Sequence, residues 1–372
     1  MRKISAFIIV LAALQCICTN VCAQGKTEKE NNGFVRNIVH RIFYPQVRYD
    51  TLYIGRPWGK WTVSLNENLM QHHYNLVIDG ESDPIRSKLN TTTGIGVAYR
   101  GVGAVISVNF RKISGKTNDR DFGLRLLNSC FGGEIRLFSV GDFYDTRFKT
   151  EVSYKNNLKG LTINAYYVFN NKKFSYPAAF SFSQIQKTSA GSMTAVMSFY
   201  SDNLWLGYDN DIYQEVLDHY YEDWGYHEVQ RDSITEVLSG WTTKYLSAGI
   251  GYAYNWVPEH SWLIHFSIEP ALMIWNKRAM SLSDVFYSRK TNAEDFDIEI
   301  KDNDYNVPYF PLNFCCNGKA SISYSWKRGY VAAYYTTTMS YINLRGMDKI
   351  MGGKSKSVYR YWTARFSIGY RF

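Results

Sequence analysis

Val358-Tyr-Arg-Tyr-Trp-Thr-Ala-Arg-Phe-Ser-Ile-Gly-Tyr-Arg-Phe372 decides the fold. Even positions read Val358, Arg360, Trp362, Ala364, Phe366, Ile368, Tyr370 and Phe372; odd positions read Tyr359, Tyr361, Thr363, Arg365, Ser367, Gly369 and Arg371. A period of two, with one face mostly apolar and the other polar, is the signature of a β-strand. A half-buried strand of a soluble protein shows the same pattern over about five residues. A strand that crosses a membrane needs about 9–11 residues, tilted. It turns apolar residues to lipid and polar ones to the lumen, with aromatics near both interfaces. The length of this stretch favours the second reading.

The same alternation recurs toward the N-terminus. It marks Tyr330–Met339, Ala320–Trp326, Trp262–Ile274, Leu246–Trp256, Met193–Phe199, Phe174–Gln184 and Ile163–Phe169. Before these come Ile135–Leu137, Phe122–Leu126, Val102–Phe110, Ile95–Tyr99 and Trp61–Leu65. Turn residues separate them at Arg100-Gly101, Cys130–Gly133, Asn170-Asn171, Pro258–His260 and Lys327–Gly329. With the final stretch these make an odd number of strands, whereas a barrel with both ends in the periplasm needs an even one. If the short turns are all periplasmic, the conflict falls between residues 200 and 241. Either that region hides a strand, giving fourteen, or 190–200 is not separate, giving twelve. Unpaired backbone groups cost several kcal/mol in hydrocarbon, so only helices or closed sheets span a membrane. The fold class expected is therefore all-β: a transmembrane antiparallel β-barrel of about 12 to 14 strands.

Composition agrees. The 372 residues include 61 aromatics, 16 % of the chain, with 20 % charged, which excludes a disordered chain. Beyond the first 23 residues no apolar run reaches the ~18–20 residues a membrane helix needs. Residues 1–23 read as a secretory signal peptide: Arg2 and Lys3, then apolar Ile4–Leu14, then Val21-Cys22-Ala23 at the cleavage positions. The residues before Cys16, Cys18 and Cys22 are not small, which argues against a lipoprotein. Cys130, Cys315 and Cys316 remain, an odd number with an adjacent pair, forming neither a disulfide framework nor a metal motif. Residues 24–58 read as a periplasmic arm. Its Phe34, Val35, Ile38, Val39, Ile42 and Phe43 have the spacing of a short amphipathic helix, and residues 59–372 form the barrel. Residues 201–238 hold ten acids and one Arg, so the remainder of the mature chain is strongly basic. No nucleic-acid motif accompanies that charge. Two long polar segments, near 201–240 and 276–313, are expected to stand clear of the membrane.

Two resemblances follow. Phe366, Ile368, Tyr370 and Phe372 resemble the terminal strand of bacterial outer-membrane barrels, which implies an assembly signal read by the barrel-assembly machinery. Tyr167–Phe180, Gln186–Ser192, Tyr49–Ile54 and Gly249–Tyr254 resemble an uncharacterised family of Bacteroidota outer-membrane proteins, a domain of unknown function numbered 4421. That resemblance, from about Tyr49 to Phe372, implies a barrel in the outer membrane of a Gram-negative cell and no activity, cofactor or catalytic residue.

The candidate chemistry is sparse. His265, Ser267 and Glu269 share one side of a strand and resemble the His-x-Ser spacing of outer-membrane phospholipase. They lie opposite the apolar Trp262/Ile264/Phe266 face, however, and the Asn partner is not identifiable. Asp209-Asn210-Asp211 and Asp302-Asn303-Asp304 offer oxygen ligands without a known calcium-loop spacing. His72-His73 points its rings to opposite faces. No metal, cofactor or catalytic set is expected. Arg125, Arg136, His265, Glu269, Lys319, Arg365 and Arg371 fall on lumen parity. A basic lumen favours anionic solutes; equally, these residues can pair with acids such as Glu134 and Glu269 and plug the interior. The leading expectation is a channel or transporter for small solutes. The alternatives are a structural or surface-interaction barrel with a plugged lumen and an envelope-lipid-modifying enzyme. Expected partners are outer-membrane lipid, lipopolysaccharide and the assembly machinery, with no nucleic acid.

Overall fold

The computed structural model describes residues 49–109, 120–145, 156–206, 232–289, 296–307, 313–344 and 353–372. In chain order these carry β1 (Ile54–Gly55), β2 (Trp61–Ile78), β3 (Glu81–Ser87), β4 (Asn90–Tyr99), β5 (Val102–Val108), β6 (Arg120–Leu127), β7 (Phe131–Gly141), β8 (Phe143–Asp145) and β9 (Asn157–Val168). Then follow α1 (Tyr176–Phe180), β10 (Ile185–Gln186), β11 (Ala190–Trp205), β12 (Asp232–Trp256), β13 (Trp262–Arg289), β14 (Phe296–Val307), β15 (Phe314–Trp326), β16 (Gly329–Asn343) and β17 (Ser355–Arg371).

Twelve of these strands close into a barrel. The ring runs β2-β4-β5-β6-β7-β9-β11-β12-β13-β15-β16-β17, each strand antiparallel to the next. β17 returns to β2 in register from Ser355↔Ile78 to Arg371↔Thr62, which removes both sheet edges. The short connections at 100–101, 128–130, 257–261 and 327–328 all lie on one rim, where β2 begins and β17 ends. Arg100 (φ 48°) and Gly101 (φ 90°) make the positive-φ pair that a two-residue hairpin requires. A Cβ on Gly101 would also sit 2.3 Å from the Leu127 carbonyl oxygen.

The odd strand in the sequence reading is Phe174–Gln184, not a segment near 200–241. It forms no barrel strand. Pro177 has no N–H to give a ladder and instead begins α1, with Ser175 Oγ capping Ala178 N. β9 pairs directly with β11 from Val168↔Thr194 to Asn157↔Trp205. The connection 169–189 is therefore free to fold into the barrel. Where they are described, the two expected polar segments are almost wholly strand: β12 and β13 stay paired up to Asp232↔Tyr287, and β14 adds beside β13 from Arg278↔Val307. The signal peptide, the amphipathic helix at 34–43 and Asp209–Asp211 lie outside the described residues. The described part of the arm, 49–58, contains β1, which pairs with β10 (Ile54↔Gln186) and so tethers the connection 169–189 at the rim.

The two faces of the wall differ in chemistry. Outward positions such as Ile95, Ile106, Ile250, Ile268, Phe366 and Ile368 are more than half exposed, an apolar band that only lipid can cover. Trp61, Trp256, Trp262, Trp326 and Tyr370 girdle the rim of short turns. This is the surface of a barrel that spans an outer membrane. Inward positions are polar or aromatic and buried. Twelve strands enclose more space than the eight whose side chains just fill a barrel, so the interior needs further filling.

Candidate functional site: a polar chamber between plug and ceiling

Three layers fill the lumen. Nearest the turn rim is the connection 169–189, the plug. Its Phe174, Tyr176, Ala179 and Phe182 are at most 2 % exposed. Phe182 stacks on Tyr330 with centroids 3.6 Å apart, and Phe180 stacks on Tyr334 at 6.0 Å. Toward the other rim, Met70, Tyr74, Phe138, Tyr200, Tyr245 and Tyr359 form one buried cluster, the ceiling. His72 lies in it, stacked with Phe138 and Tyr361, its Nδ1 2.8 Å from the Tyr359 hydroxyl. His73 faces the other way, as the alternation requires.

Between these layers is a cavity of about 70 Å³ bounded by Phe180 and Tyr334 below and Tyr361 above. Period two on five strands aims its lining inward: Arg125 from β6, Glu134 and Arg136 from β7, Lys319 from β15, Arg365 from β17 and Asn164 from β9. The charges are paired. Arg125 Nε donates to Glu134 at 2.8 Å. Arg136 grips Asp121 with two nitrogens, at 2.7 and 3.2 Å, the fork geometry that favours Arg over Lys. Arg365 donates to Asn68 Oδ1 and lies 3.8 Å from Asp121. Lys319 reaches both oxygens of Glu269 at 2.9 Å. Four cations thus face three carboxylates, and each charge taken out of water has a partner, as burial demands.

Glu269 also joins wall to plug. The Tyr176 hydroxyl donates to Glu269 Oε1 at 2.6 Å. Burial, reinforced by that carboxylate, holds the hydroxyl well above the usual tyrosine range, so it stays a donor. Asn255 makes a second joint, its amide nitrogen donating to Ser175 O at 2.8 Å and Gln186 Oε1 at 3.0 Å. Its oxygen is then the acceptor for His265 Nδ1 at 2.7 Å, which places the proton on Nδ1. The remaining His265 nitrogen is buried without a hydrogen-bond partner, ringed by Phe174, Tyr176 and Phe180.

The sequence-derived residues therefore fall in two groups. Arg125, Arg136, Lys319 and Arg365 meet in the chamber. His265 and Glu269 face the plug, and Arg371 sits beneath it, over the rings of Phe182 (6.0 Å) and Tyr330 (5.6 Å). His265, Ser267 and Glu269 do share one side. An Asn partner does exist, Asn255, on the neighbouring strand, where only the register Asn255↔His265 reveals it. The trio nevertheless does not converge: Ser267 Oγ contacts Tyr176, 3.3 Å away, and Glu269 is held by Lys319. The plug itself was missed, although Pro177 within an alternating run was the available signal. Asp302–Asp304 lie on β14, and Asp304 accepts from Ser281. Among the described residues no three His, Cys, Asp or Glu side chains cluster as metal ligands. Cys130, Cys315 and Cys316 are unbridged. Phe366, Ile368, Tyr370 and Phe372 all face outward, about half exposed.

A family profile described as domain of unknown function (DUF4421) matches residues 48–372. No curated protein matches in sequence. Among solved structures, the chain is similar to the Pseudomonas putida toluene transporter TodX at 6 % identity, covering 90 % of this chain and 97 % of that one, with a TM-score of 0.21. A Pseudomonas aeruginosa FadL homologue matches at 9 % identity, covering 84 % and 90 %, with a TM-score of 0.24. Ail, the attachment invasion locus protein of Yersinia pestis, matches at 10 % identity, covering 83 % and 98 %, with a TM-score of 0.20.

Proposed function

The chain belongs to the family described as domain of unknown function (DUF4421), and we propose that it is an outer-membrane transporter for small solutes whose lumen is closed in the state described. The observation that carries this reading is the chamber: a polar, ion-pair-lined cavity enclosed between a plug and a ceiling. The plug is not part of the wall. β9 and β11 pair without it, and it is held by side-chain contacts, so the ring stays closed when the plug moves. Passage requires both seals to part. Four cations against three carboxylates then favour anionic solutes. On this reading the chain is no enzyme, and His265 serves the plug joint. It reaches the outer membrane through a cleaved signal peptide, with Phe366, Ile368, Tyr370 and Phe372 read by the barrel-assembly machinery and lipid and lipopolysaccharide around it.

The test is ion conductance in a planar bilayer, comparing the wild type with a variant whose Phe174–Phe182 is replaced by a Gly/Ser stretch of equal length. The wild type should show rare or no steps. The variant should show stable steps, with an anion-selective reversal potential under a salt gradient. A folded variant as silent as the wild type would sink the transport reading. The survivor would be a structural or surface-interaction barrel, its lumen plugged and crossed by ion pairs.

A further inference from the structure

The plug is docked on one side of the barrel. The Tyr176–Glu269 and Ser175–Asn255 joints fasten it to β13 and β12. The inward residues there, Ala253, Asn255, His265 and Glu269, are at most 2 % exposed. Across the ring lies the arc β2-β4-β5-β6. Its inward Ser64, Gly103, Val105 and Arg125 stay half-buried. The plug is uneven in the same sense: Tyr176 and Ala179 are buried, whereas Phe180 and Ser181 are half-buried.

Small side chains leave the gap. Ser64, Gly96, Ala98, Gly103 and Ser367 line a lane of about 50 Å³ between plug and wall, room for about four waters. The lane shares its walls with two other cavities. Toward the rim, Thr62, Ala98, Gly101 and Ser181 also line a cavity of about 340 Å³, whose Arg56, Trp58 and Lys60 are exposed. Toward the middle, Arg125, Arg365, Phe180 and Tyr334 also line the chamber. Three cavities thus follow one another from the rim of short turns to the chamber. Between lane and chamber stand the stacked rings of Phe180 and Tyr334, with centroids 6.0 Å apart. The Phe180 side chain has no polar group, so packing alone holds it and no hydrogen bond breaks when it turns. Side-chain rotation is also far faster than withdrawal of a whole segment. Among the described residues, the charged side chains that line the lane are Arg125 and Arg365, both cations. Such a lining favours anions.

We propose that Phe180 and Tyr334 form the lower gate of the transporter. Small anions reach the chamber past this pair, along the small-residue arc, while the plug stays docked on β12 and β13. The proposal rests on the transport reading and narrows it. The solute is a small anion, because a bulkier one needs the whole plug to leave.

The test reads thiol accessibility in the full barrel folded in detergent. Val105→Cys reports on the lane, Thr336→Cys on the chamber and Ser267→Cys on the docked side. Each is made with and without Phe180→Ala. Alkylation by neutral iodoacetamide and anionic iodoacetate is followed by peptide mass spectrometry, which reads each site apart from the three native cysteines. Val105→Cys should react about tenfold faster than Ser267→Cys with the gate intact. Thr336→Cys should be slow, then about tenfold faster once Phe180→Ala is added, with Ser267→Cys still protected. At the opened Thr336→Cys site, iodoacetate should gain on iodoacetamide about threefold relative to free cysteine. A lane reporter as slow as Ser267→Cys, a chamber reporter indifferent to Phe180→Ala, or Ser267→Cys exposed together with Thr336→Cys overturns the gate. Absence of the iodoacetate preference overturns the anion assignment. Conductance separates this proposal from the one it rests on. If Phe180→Ala opens Thr336→Cys but the Gly/Ser plug variant stays silent, transport falls and a side passage remains. If that variant conducts while Thr336→Cys stays closed, transport stands and this gate falls. The heat-dependent electrophoretic shift of barrels confirms folding of every variant.

Discussion

The wall and the plug meet at Glu269 and are held by different physics. The wall is backbone: β17 pairs from Lys356 to Tyr370 with β16 on one side and from Ser355 to Arg371 with β2 on the other. The plug has one turn of helix, the two-residue β1–β10 pairing and a set of side-chain joints. A ring of ladders is stable because no edge is left open to hydrocarbon. A loop held by side chains opens locally, at a free energy below that of the whole. Two connections on the same rim show the contrast. Residues 327–328 join two strands and do nothing more, whereas residues 169–189 join two equally adjacent strands and fill the lumen.

The contrast can be broken or sharpened by substitution. Asp121→Ala strands the buried Arg136 guanidinium and should cost about 3–5 kcal/mol. Denaturant unfolding in lipid vesicles should show that loss globally, in every strand. Phe182→Ala empties the stack on Tyr330 and should cost about 3 kcal/mol. That loss should be confined to the plug, seen as faster hydrogen exchange over 169–189 with the unfolding midpoint little changed; an equal global shift would make plug and wall one cooperative unit. Tyr176→Phe removes the donor to Glu269 and should cost the plug about 1.5 kcal/mol. It should give flickering conductance where the wild type is silent. The smallest effect is expected on the outer face. Glu67 shares the lipid-facing side with Leu65 and is satisfied there by Thr93 Oγ1 at 2.7 Å. Glu67→Leu should stabilise the wall by about 1 kcal/mol or less, read from the unfolding midpoint.

Much of the wall was legible in the chain. Period two identified eleven further barrel strands besides β17, and the turn residues located the rim. The strand ends were less legible. β12 and β13 run well past the stretches read as strands, Leu246–Trp256 and Trp262–Ile274, into the polar segments, because polar residues above the membrane can pair as strands without an apolar face to reveal them. Phe174–Gln184 misled for the opposite reason. Inside a barrel, aromatic and polar residues are buried together, so Phe174, Tyr176, Phe180 and Phe182 alternate as a strand does while packing as a plug. Asn255 was invisible as the partner of His265 because ten residues and a turn separate them, and only the register brings them together.

The sequence by itself determined that this protein is a closed antiparallel barrel with an apolar outside. That follows from a local rule: successive side chains on a strand point to opposite faces, and a membrane leaves no other way to satisfy the backbone. Which cations pair with which carboxylates, and whether the lumen stands open, was decided only by the tertiary structure. Those outcomes depend on register across neighbouring strands and on where one connection folds, and neither is encoded within any single stretch of chain.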